Sequence, residues 1–460
     1  MNILAERCTI SRRRRGAELK LLTFKGGVHP PERKELASSR KIEVLPPPSV
    51  VKIFLANHGG APAKPLVQEG DTVKVGQKIG EASGFISANV HASLAGVVRG
   101  IEKILHPVQE KPMEAIVIEK AEGEENWEFI TPHGDFNRFS PREIVELIKE
   151  AGIVGLGGAM FPTHVKLTPP EGKTIDLLII NGAECEPYLT IDHRLMLEKP
   201  KEIARGIKIL MHALGVKRAI IGIESNKPDA VESMRAACQG EPIEVAVLKT
   251  KYPQGAEKQL IYAISGRVVP AGGLPLDMGV VVQNVGTCLA VYNAVEHGIP
   301  LVERGLTVTG KGVKNTANLV VRIGTLTSTI LEHVGGLTDD VDRVLFGGPM
   351  MGIAIRSLDT PILKGTSGIT ALTADEVKGP TPRTCIRCSR CVEACPMNLQ
   401  PYLLDLLAKK RLYDQAVEQG LMDCIECGSC SYICPSGVEH VKSIKLAKKV
   451  YRALRGGGKK

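Results

Sequence analysis

Two copies of one cysteine motif near the end of the chain constrain its fold more than any other feature. Each copy has the spacing C-x2-C-x2-C-x3-C followed by proline. The cysteines are Cys385, Cys388, Cys391 and Cys395 in the first copy and Cys424, Cys427, Cys430 and Cys434 in the second. This spacing is typical of ferredoxins with two [4Fe–4S] clusters, in which the fourth cysteine of each motif binds the other cluster. We therefore predict one cluster on Cys385, Cys388, Cys391 and Cys434, and the other on Cys424, Cys427, Cys430 and Cys395.

The alternative for these cysteines is a pair of zinc sites. Zinc ribbons use two C-x2-C pairs for each ion and need neither a third cysteine at this spacing nor a cysteine before proline. The other four of the twelve cysteines are scattered along the chain, which is unlike a disulfide framework. Clusters with four cysteine ligands have no open coordination position, so they predict transfer of single electrons without binding of substrate.

Length and composition indicate a multidomain globular protein. The chain has 460 residues, 43% of them hydrophobic and 24% charged, which is enough for about three domains. No stretch reaches the roughly 18 uninterrupted apolar residues of a membrane-spanning helix, so no transmembrane segment is predicted. The net charge is +9, but aromatic residues make up only 4%. Because the basic residues are spread along the chain, we expect no nucleic acid as a partner.

Residues 49–135, which follow an irregular N-terminal segment of residues 1–48, have the pattern of a small β-domain. Their short strands and glycine-rich turns resemble the barrel-sandwich fold of lipoyl and biotinyl carrier domains. Carrier domains bear their cofactor on a lysine at an exposed hairpin tip. The corresponding tip here, residues 84–89, contains no lysine. We therefore predict a structural barrel without a swinging arm.

Residues 136–299 alternate between strands and helices, which predicts a mostly parallel, Rossmann-like α/β domain. The predicted strands are 175–180, 219–223 and 243–248, and the predicted helices are 201–214 and 228–238. An earlier helix is predicted by the capping box Ser140-Pro141-Arg142-Glu143 and stops at Gly152.

The last two domains complete a multidomain α/β and α+β fold. Residues 300–378 change to short β-segments around one helix at 326–334, which suits a β-grasp module of the SLBB type. Residues 379–460 form the α-helical domain with the two clusters. Its last helix has an apolar stripe that includes Ile444, Ala447 and Leu454, opposite a set of lysines that includes Lys448. We expect this stripe to pack on its own domain, with docking to a partner as the second interpretation.

A glycine-rich loop and the end of a strand are candidate ligand sites. Gly155, Gly157 and Gly158 leave the loop free to take positive φ, so that backbone N–H groups can converge on a phosphate. The loop follows a helix and not a strand, so it lacks the context of a dinucleotide fingerprint, and taken alone it favours a plain turn. The strand that ends at residue 180 brings Asn181, Glu184 and Glu186 to the edge of the sheet where α/β proteins bind ligands.

Four segments together resemble the flavin- and NADH-binding subunit of respiratory complex I. They are residues 155–166, 181–187, 251–258 and 283–287. The segment Lys25-Gly26-Gly27-Val28-His29-Pro30-Pro31 at the front and the cysteine motifs at the back extend the resemblance to the RnfC family, whose members belong to the Rnf electron-transport complex. It covers the chain from about Lys25 to its end.

This resemblance implies non-covalent FMN, NAD(H) as substrate and the two [4Fe–4S] clusters. The implied FMN ligands are Gly155, Gly157, Gly158, Lys166, Asn181, Glu184, Asn284 and Thr287. NAD(H) is implied to stack near Phe161 and to contact Glu186 and Glu257. Two positions depart from complex I: Leu156 replaces an arginine, and Ala256-Glu257 replaces an acidic pair. We expect the first to weaken the grip on phosphate and the second to reduce the negative charge near the flavin.

The resemblance also implies a function. The chain would be a peripheral subunit on the cytoplasmic side of the inner membrane, in an ion-translocating NAD:ferredoxin oxidoreductase. Its partners would be the other Rnf subunits, with ferredoxin reached indirectly through the complex. A flavin takes hydride and returns electrons singly, so no side chain is predicted to act as an acid or base.

Two other functions stay open. A cobalamin reductase of the propanediol-utilisation type resembles the chain in its glycine loop, β-grasp module and paired clusters, but the segment from Lys25 to Pro31 favours the Rnf family. The second is a non-catalytic module that lost its nucleotide site and only relays electrons. Leu156 and Ala256 are the residues that support it.

Overall fold

The computed structural model describes residues 21–123, 126–128 and 130–456. The first twenty residues of the predicted N-terminal segment lie outside this range. The rest of that segment runs across other domains, because Leu22 bridges Leu248 and Val28 bridges Tyr252. It then forms a 3-10 helix (Lys34–Leu36) and strand β1 (Ile42–Val44).

The predicted barrel-sandwich is present and follows directly. Its strands are β2 (Val50–Phe54), β3 (Lys64–Pro65), β4 (Thr72–Val73), β5 (Lys78–Glu81), β6 (Val90–His91), β7 (Gly96–His106) and β8 (Lys111–Lys120). They form one sheet in the order β2-β8-β7-β4 and a second in the order β3-β5-β6. Alternate apolar residues of both sheets, such as Ile53, Ile79 and Ile116, fill the core between them.

The α/β domain opens with α1 (Pro141–Glu150), and its predicted capping box joins Ser140 and Glu143 reciprocally. A 3-10 helix (Phe136–Arg138) precedes it. The later elements are α2 (Thr163–Lys166), β9 (Leu177–Gly182), α3 (Ile191–Glu198), α4 (Pro200–Leu214), β10 (Ala219–Glu224), α5 (Pro228–Ala237), β11 (Ile243–Leu248), α6 (Glu257–Ser265), a 3-10 helix (Pro275–Met278), β12 (Val280–Asn284) and α7 (Val285–His297). The four strands are parallel, as predicted, but β12 is not among the predicted strands.

Helices cover both faces of this parallel sheet. Leu178 and Ile180 of β9 pack in the layer that contains α1, α4 and α7. Their neighbours Leu177 and Ile179 pack against α6 on the other face. Burial on both faces explains why the central strands β9 and β10 are nearly continuous apolar runs in the sequence.

The strand order creates a candidate ligand site. The sheet has the order β11-β10-β9-β12, so the chain builds outward from β9 and then returns to its other side for β12. Open α/β sheets bind ligands at such a switch point, beyond the carboxyl ends of the two strands. Those ends are Gly182 and Asn284. We call the space above them the switch crevice.

The third domain is the predicted β-grasp module. Its elements are β13 (Glu303–Thr309), β14 (Ala317–Arg322), α8 (Thr327–His333), β15 (Val341–Phe346), β16 (Ile353–Ala354) and β17 (Gly368–Thr373). Strands β13 and β17 are parallel in the middle of the sheet, and β13 and β14 form an antiparallel pair. Strand β1 adds to the edge beside β14, so the N-terminal segment belongs to this sheet.

The last domain is helical, as predicted, but one lysine is not where the helical pattern placed it. Its helices are α9 (Arg390–Ala394), α10 (Pro401–Lys409), α11 (Tyr413–Glu418), a 3-10 helix (Leu421–Asp423), α12 (Ser429–Tyr432) and α13 (His440–Gly456). Ile444 and Ala447 of α13 are buried on the domain, but Leu454 is 66% exposed. Lys448 is buried and donates to the Cys424 carbonyl and the Glu426 carboxylate, because α13 passes beside the second cysteine motif. Among the helices of the described residues, none has the length and apolarity to cross a membrane.

Candidate functional site

The eight motif cysteines line two separate cavities in the last domain. One cavity, which we call the inner cavity, is lined by Cys395, Cys424, Cys427 and Cys430. A second, the outer cavity, is lined by Cys385, Cys388, Cys391 and Cys434. The fourth cysteine of each motif therefore lies with the first three cysteines of the other motif. This is the crossed arrangement that the sequence predicts.

The two motifs share one backbone conformation. Arg387 and Glu426 occupy the same motif position and have φ of 56° and 58°. Ser389 and Gly428 each follow the second cysteine, at 62° and 83°. Left-handed conformations are unfavourable for residues other than glycine and persist only where their surroundings require them. The repeated strain indicates that both loops are shaped around their cavities.

The cavities suit clusters better than single ions. Backbone N–H groups donate, each at 3.4 Å, to the sulfur atoms of Cys395, Cys424 and Cys434. Hydrogen bonds to the sulfurs are one means by which proteins set the potential of bound iron–sulfur clusters. Within the described ranges, no three His, Cys, Asp or Glu side chains come close enough together to hold one metal ion. Thiols that surround a space fit a cubane and do not fit the tight tetrahedron of zinc.

The inner cavity is covered by the α/β domain, whereas the outer cavity faces solvent. The Tyr252 hydroxyl donates to the Cys427 carbonyl at 2.6 Å, and the Gln259 amide donates to the Pro396 carbonyl at 3.0 Å. Around the outer cavity, in contrast, every residue from 379 to 390 is exposed. The two cavities therefore have different neighbours although their motifs are alike.

The segment from Lys25 to Pro31 packs on the backbone of the first cysteine motif, next to Cys395 of the inner cavity. The Gly27 N–H donates to the Ala394 carbonyl at 2.9 Å. Gly26 and Gly27 have φ of 84° and 85°, and a side chain at either would lie within 3.0 Å of the carbonyl oxygen of Cys395 or Tyr252. Glycine is thus required at both positions, because the segment passes directly over backbone.

The glycine loop rests on the first turn of α7. The loop is closed by a hydrogen bond from the Gly155 N–H to the Phe161 carbonyl at 2.8 Å. The Leu156 N–H donates to Thr287 Oγ1 at 2.9 Å. Thr287 is fully buried, so its hydroxyl positions the loop.

The open part of the loop borders the switch crevice. A side chain at Gly157 would lie 3.6 Å from Asn284 Cβ, whereas at Gly158, with φ of 101°, it would meet nothing within 4 Å. Asn284 ends β12 and caps α7. Backbone N–H groups at a helix start attract anions, so this corner of the crevice suits a phosphate.

Lys166, Asn181 and Glu257 lie at the crevice, where Asn181 Oδ1 accepts from the Ala183 N–H at 3.2 Å and Lys166 and Glu257 are partly exposed. Lys166 Nζ donates to Glu257 Oε1 at 2.8 Å and to the Val282 carbonyl at 3.1 Å. Asn181 Nδ2 donates to the Gly255 carbonyl at 2.8 Å. The side chains of Lys166 and Glu257 are 28% and 39% exposed, so both can still meet a ligand.

Glu184 and Asn284, in contrast, are held by internal hydrogen bonds. The Glu184 carboxylate is 4% exposed and accepts from the backbone N–H groups of Asp192 and His193 at the start of α3. Asn284 accepts from the Gly286 N–H and donates to Asp192 Oδ2, at 2.8 and 2.7 Å. Both residues therefore shape the backbone of the crevice from within.

Arg304 and Asp192 lie next to the loop and the crevice, although no motif in the sequence points to them. Arg304 of β13 is 2% exposed and donates to the carbonyls of Leu156 and Thr366, at 2.7 and 3.1 Å. Burial lowers the pKa of Arg304 to about 10, with Asp192 and Glu184 opposing the shift. Burial likewise raises the pKa of Asp192 to about 7. Arg304 is 148 residues from Leu156, so no local pattern indicates this contact.

Leu156, which stands where complex I has an arginine, is a core residue. Its side chain is 5% exposed and packs in the core of the α/β domain. It therefore points away from the crevice. The cation next to the loop is Arg304, which comes from the β-grasp module.

Phe161 lies where the glycine loop meets the barrel. It is partly buried, and the neighbouring Met160 carbonyl accepts from the Gly59 N–H at 2.8 Å. His164 Nε2 lies 3.3 Å from the carbonyl oxygen of Phe85, whose side chain is 64% exposed at the barrel tip. The tip that lacks a lysine is thus one border of the loop.

Glu186 is directed toward the β-grasp module. Its Oε1 accepts from the backbone N–H groups of Met350 and Met351, at 2.6 and 3.0 Å. Burial raises the pKa of Glu186 to about 7, from an ordinary value of 4.5. The folded chain therefore holds this proton more tightly than the unfolded chain does.

This pKa predicts a pH-dependent loss of stability. The contribution of Glu186 to the free energy of unfolding is fully present below pH 4.5 and is lost as the pH rises toward about 7. We expect E186Q to lack this loss and to be more stable than the wild type at pH 8, by at most about 3 kcal/mol. Thermal unfolding of both proteins from pH 5 to pH 8 measures the difference. The exposed Glu171 supplies the control variant E171Q, and parallel curves for wild type and E186Q would contradict the prediction.

Family models match most of the chain. They are an RnfC barrel sandwich hybrid domain at residues 22–123, a Nuo51 FMN-binding domain at 148–293, an SLBB domain at 306–354 and a 4Fe-4S dicluster domain at 380–435. Their order is the order of the domains described above.

Curated relatives are similar over nearly the whole length. The C subunit of the proton-translocating ferredoxin:NAD(+) oxidoreductase complex of Clostridium ljungdahlii is 48% identical over 400 residues, 87% of each chain. The Na(+)-translocating counterpart of Acetobacterium woodii is 45% identical and covers 95% of this chain and 98% of its own. The C subunit of the ion-translocating oxidoreductase complex of Rhodobacter capsulatus is 44% identical, with 94% and 83% covered.

Proposed function

Because this chain belongs to the C subunits of ion-translocating ferredoxin:NAD(+) oxidoreductase complexes of the Rnf type, we propose that it exchanges electrons between NAD(H) and the other subunits of such a complex. The switch crevice is the proposed site for FMN and for the nicotinamide nucleotide. The two cavities are the proposed sites of the [4Fe–4S] clusters. We place the chain on the cytoplasmic side of the membrane, bound to the membrane subunits, because NAD(H) and ferredoxin are reactants of the cytoplasm.

One observation carries this proposal: residues 252–255 contact both the crevice and the inner cavity. The Gly255 carbonyl accepts from Asn181 at the end of β9. The Gly255 N–H donates to Cys185 Sγ at 3.2 Å. Three residues earlier, the Tyr252 hydroxyl donates to the Cys427 carbonyl. The crevice and the inner cavity are therefore neighbours across a single short segment.

The residues at the crevice fit a flavin nucleotide. The backbone at Gly157 and Gly158, together with the start of α7, suits its phosphate, and Lys166 and Asn181 supply polar groups for the rest. FMN bound there supplies the exchange between two-electron hydride chemistry and single electrons. We propose that NAD(H) lies against Phe161, within reach of Glu257. Glu186 is not part of this proposal, because its carboxylate is bound by the backbone of the β-grasp module.

The two cavities place the proposed clusters in different surroundings. The cysteines of the inner cavity hold a cluster beside the crevice and away from water. Those of the outer cavity hold a cluster at the surface, where another protein can approach. We assign Cys395, Cys424, Cys427 and Cys430 to the inner cluster and Cys385, Cys388, Cys391 and Cys434 to the outer cluster.

Anaerobic purification followed by NADH titration tests the function. We expect a flavin absorption spectrum, about eight irons per chain and bleaching of the visible spectrum on addition of NADH. NADH added to a K166M variant should bleach less, because the ammonium group at the crevice is lost. A protein with clusters but no flavin and no response to NADH would instead indicate a relay. Fast reduction of a corrinoid by NADH would indicate a cobalamin reductase.

A further inference from the structure

We propose that the surface around the outer cavity is a docking site for an acidic iron–sulfur protein. This surface, which we call the outer face, consists of Arg383, Ile386, Arg387 and Arg390 with the exposed Cys385 and Cys388. The inference deepens the proposed function, because it locates where electrons enter or leave the chain and states the chemistry of the partner. One electron passes per encounter, so that one cluster is oxidised as the other is reduced and no bond is made or broken.

The charge of the outer face is one-sided. No Asp or Glu occurs from residue 377 to residue 392. Lys378, at the edge, is paired with Asp375. In contrast, Arg383, Arg387 and Arg390 make no ion pair with any other residue in the described part of the chain. Three unpaired guanidinium groups around an exposed electron-transfer site favour an acidic partner.

An apolar residue lies in the middle of this charged surface. The Ile386 side chain is 67% exposed, and it sits between Cys385 and Arg387. Small apolar centres surrounded by charge are typical of protein interfaces, and electron-transfer encounters use small ones. Ile386 therefore supplies surface that a partner would cover directly over the outer cluster.

The first cysteine motif, which supplies three cysteines to the outer cavity, is here called the outer motif, and the second, which supplies three to the inner cavity, the inner motif. Comparing the two shows which features are specific to the outer face. Arg387 has its counterpart in Glu426, at the same motif position and with nearly the same φ. Glu426 accepts from the buried Lys448, inside the chain. The inner motif thus pairs its charge internally and is covered by its own α/β domain. The outer motif carries the opposite charge and leaves it facing solvent.

The same charges argue against a second copy of this chain as the occupant. The chain has a net charge of +9, so two outer faces would repel each other. An anionic lipid surface would also attract arginines, but it gives no role to a cluster that is exposed at the centre of the patch. An acidic redox protein accounts for both features.

A charge-reversal variant of the full-length holoprotein tests the proposal. The variant is R387E/R390E, and glutamate at position 387 copies the inner motif, which already accommodates glutamate at that backbone conformation. The probe is a purified acidic ferredoxin with two [4Fe–4S] clusters, and calorimetry measures its affinity at low and at physiological salt. We expect affinity to fall at least tenfold in the variant and the wild-type affinity to weaken steeply with salt. The exposed Arg142 on α1 supplies the control R142E, which should bind like the wild type.

Two further measurements separate the possible results. Iron content and visible spectrum establish that R387E/R390E keeps both clusters. Unchanged affinity for the ferredoxin in a variant with both clusters would overturn the proposal. Binding of the wild type to phosphatidylglycerol vesicles, lost in the variant while ferredoxin binding stays intact, would also overturn it. If NADH does not reduce the protein but the ferredoxin binds as expected, the proposed function fails and the docking site stands.

Discussion

Replacing Cys395 with alanine should remove the inner cluster and leave the outer one, although Cys395 belongs to the motif whose other cysteines line the outer cavity. The reason is that Cys395 lines the inner cavity with Cys424, Cys427 and Cys430. We expect iron to fall from about eight to about four per chain. The electron paramagnetic resonance spectrum of reduced C395A should match that of C424A.

The reciprocal variant supplies the control. C434A should lose the outer cluster and give the spectrum of C385A, because these cysteines line the outer cavity together. The single variants should therefore form two spectroscopic classes, each of which contains cysteines from both motifs. Classes that follow the motifs instead, with C395A resembling C385A, would contradict the crossed assignment.

Replacing Arg304 with methionine should destabilise the fold and release the flavin. The substitution leaves the carbonyls of Leu156 and Thr366 without the guanidinium that donates to them, and it removes a positive charge from beside the buried carboxylates of Asp192 and Glu184. Lys34 Nζ, at 4.0 Å, stays beside Glu184. Removing one member of such a buried group usually costs about 3–5 kcal/mol. Thermal unfolding measures the stability, and the flavin released per chain on denaturation measures occupancy.

Two matched variants make this result specific. R304K keeps the charge but loses the fork that reaches both carbonyls, so we expect an intermediate effect. R142M removes an exposed arginine from α1 and should change neither quantity. Wild-type flavin content in a stable R304M protein would show that the loop does not depend on this contact.

Features that depend on neighbouring residues could be predicted from the sequence. The spacing of the cysteines is local, and three thiols at that spacing can line one space wherever the motif lies. The capping box at Ser140 is equally local, and the structure contains it. Strand β10 includes the predicted residues 219–223, because a strand buried on both faces is a continuous apolar run.

Features that depend on distant pairing could not be predicted. The place of β12 beside β9, which creates the switch crevice, follows from strand order and is not visible in the apolar pattern of either strand. Strand β1 could not be predicted either, because its residues have no strand pattern of their own and form a strand by pairing with β14. Side-chain direction could not be predicted either. Glu184 has the residue type of a ligand contact and Lys448 that of a solvated lysine, yet both side chains are turned inward.

The sequence by itself determined which chemistry the chain can hold: eight cysteines in two motifs, a glycine loop that can approach a phosphate, and the order of four domains. Only the tertiary structure decided that one cluster site is covered by the α/β domain and the other is open, and that a buried arginine from the β-grasp module supports the loop. The physical reason is the separation along the sequence over which each effect acts. Spacing and periodicity act over a few residues, whereas burial and charge pairing join side chains that the fold brings together from more than a hundred residues apart.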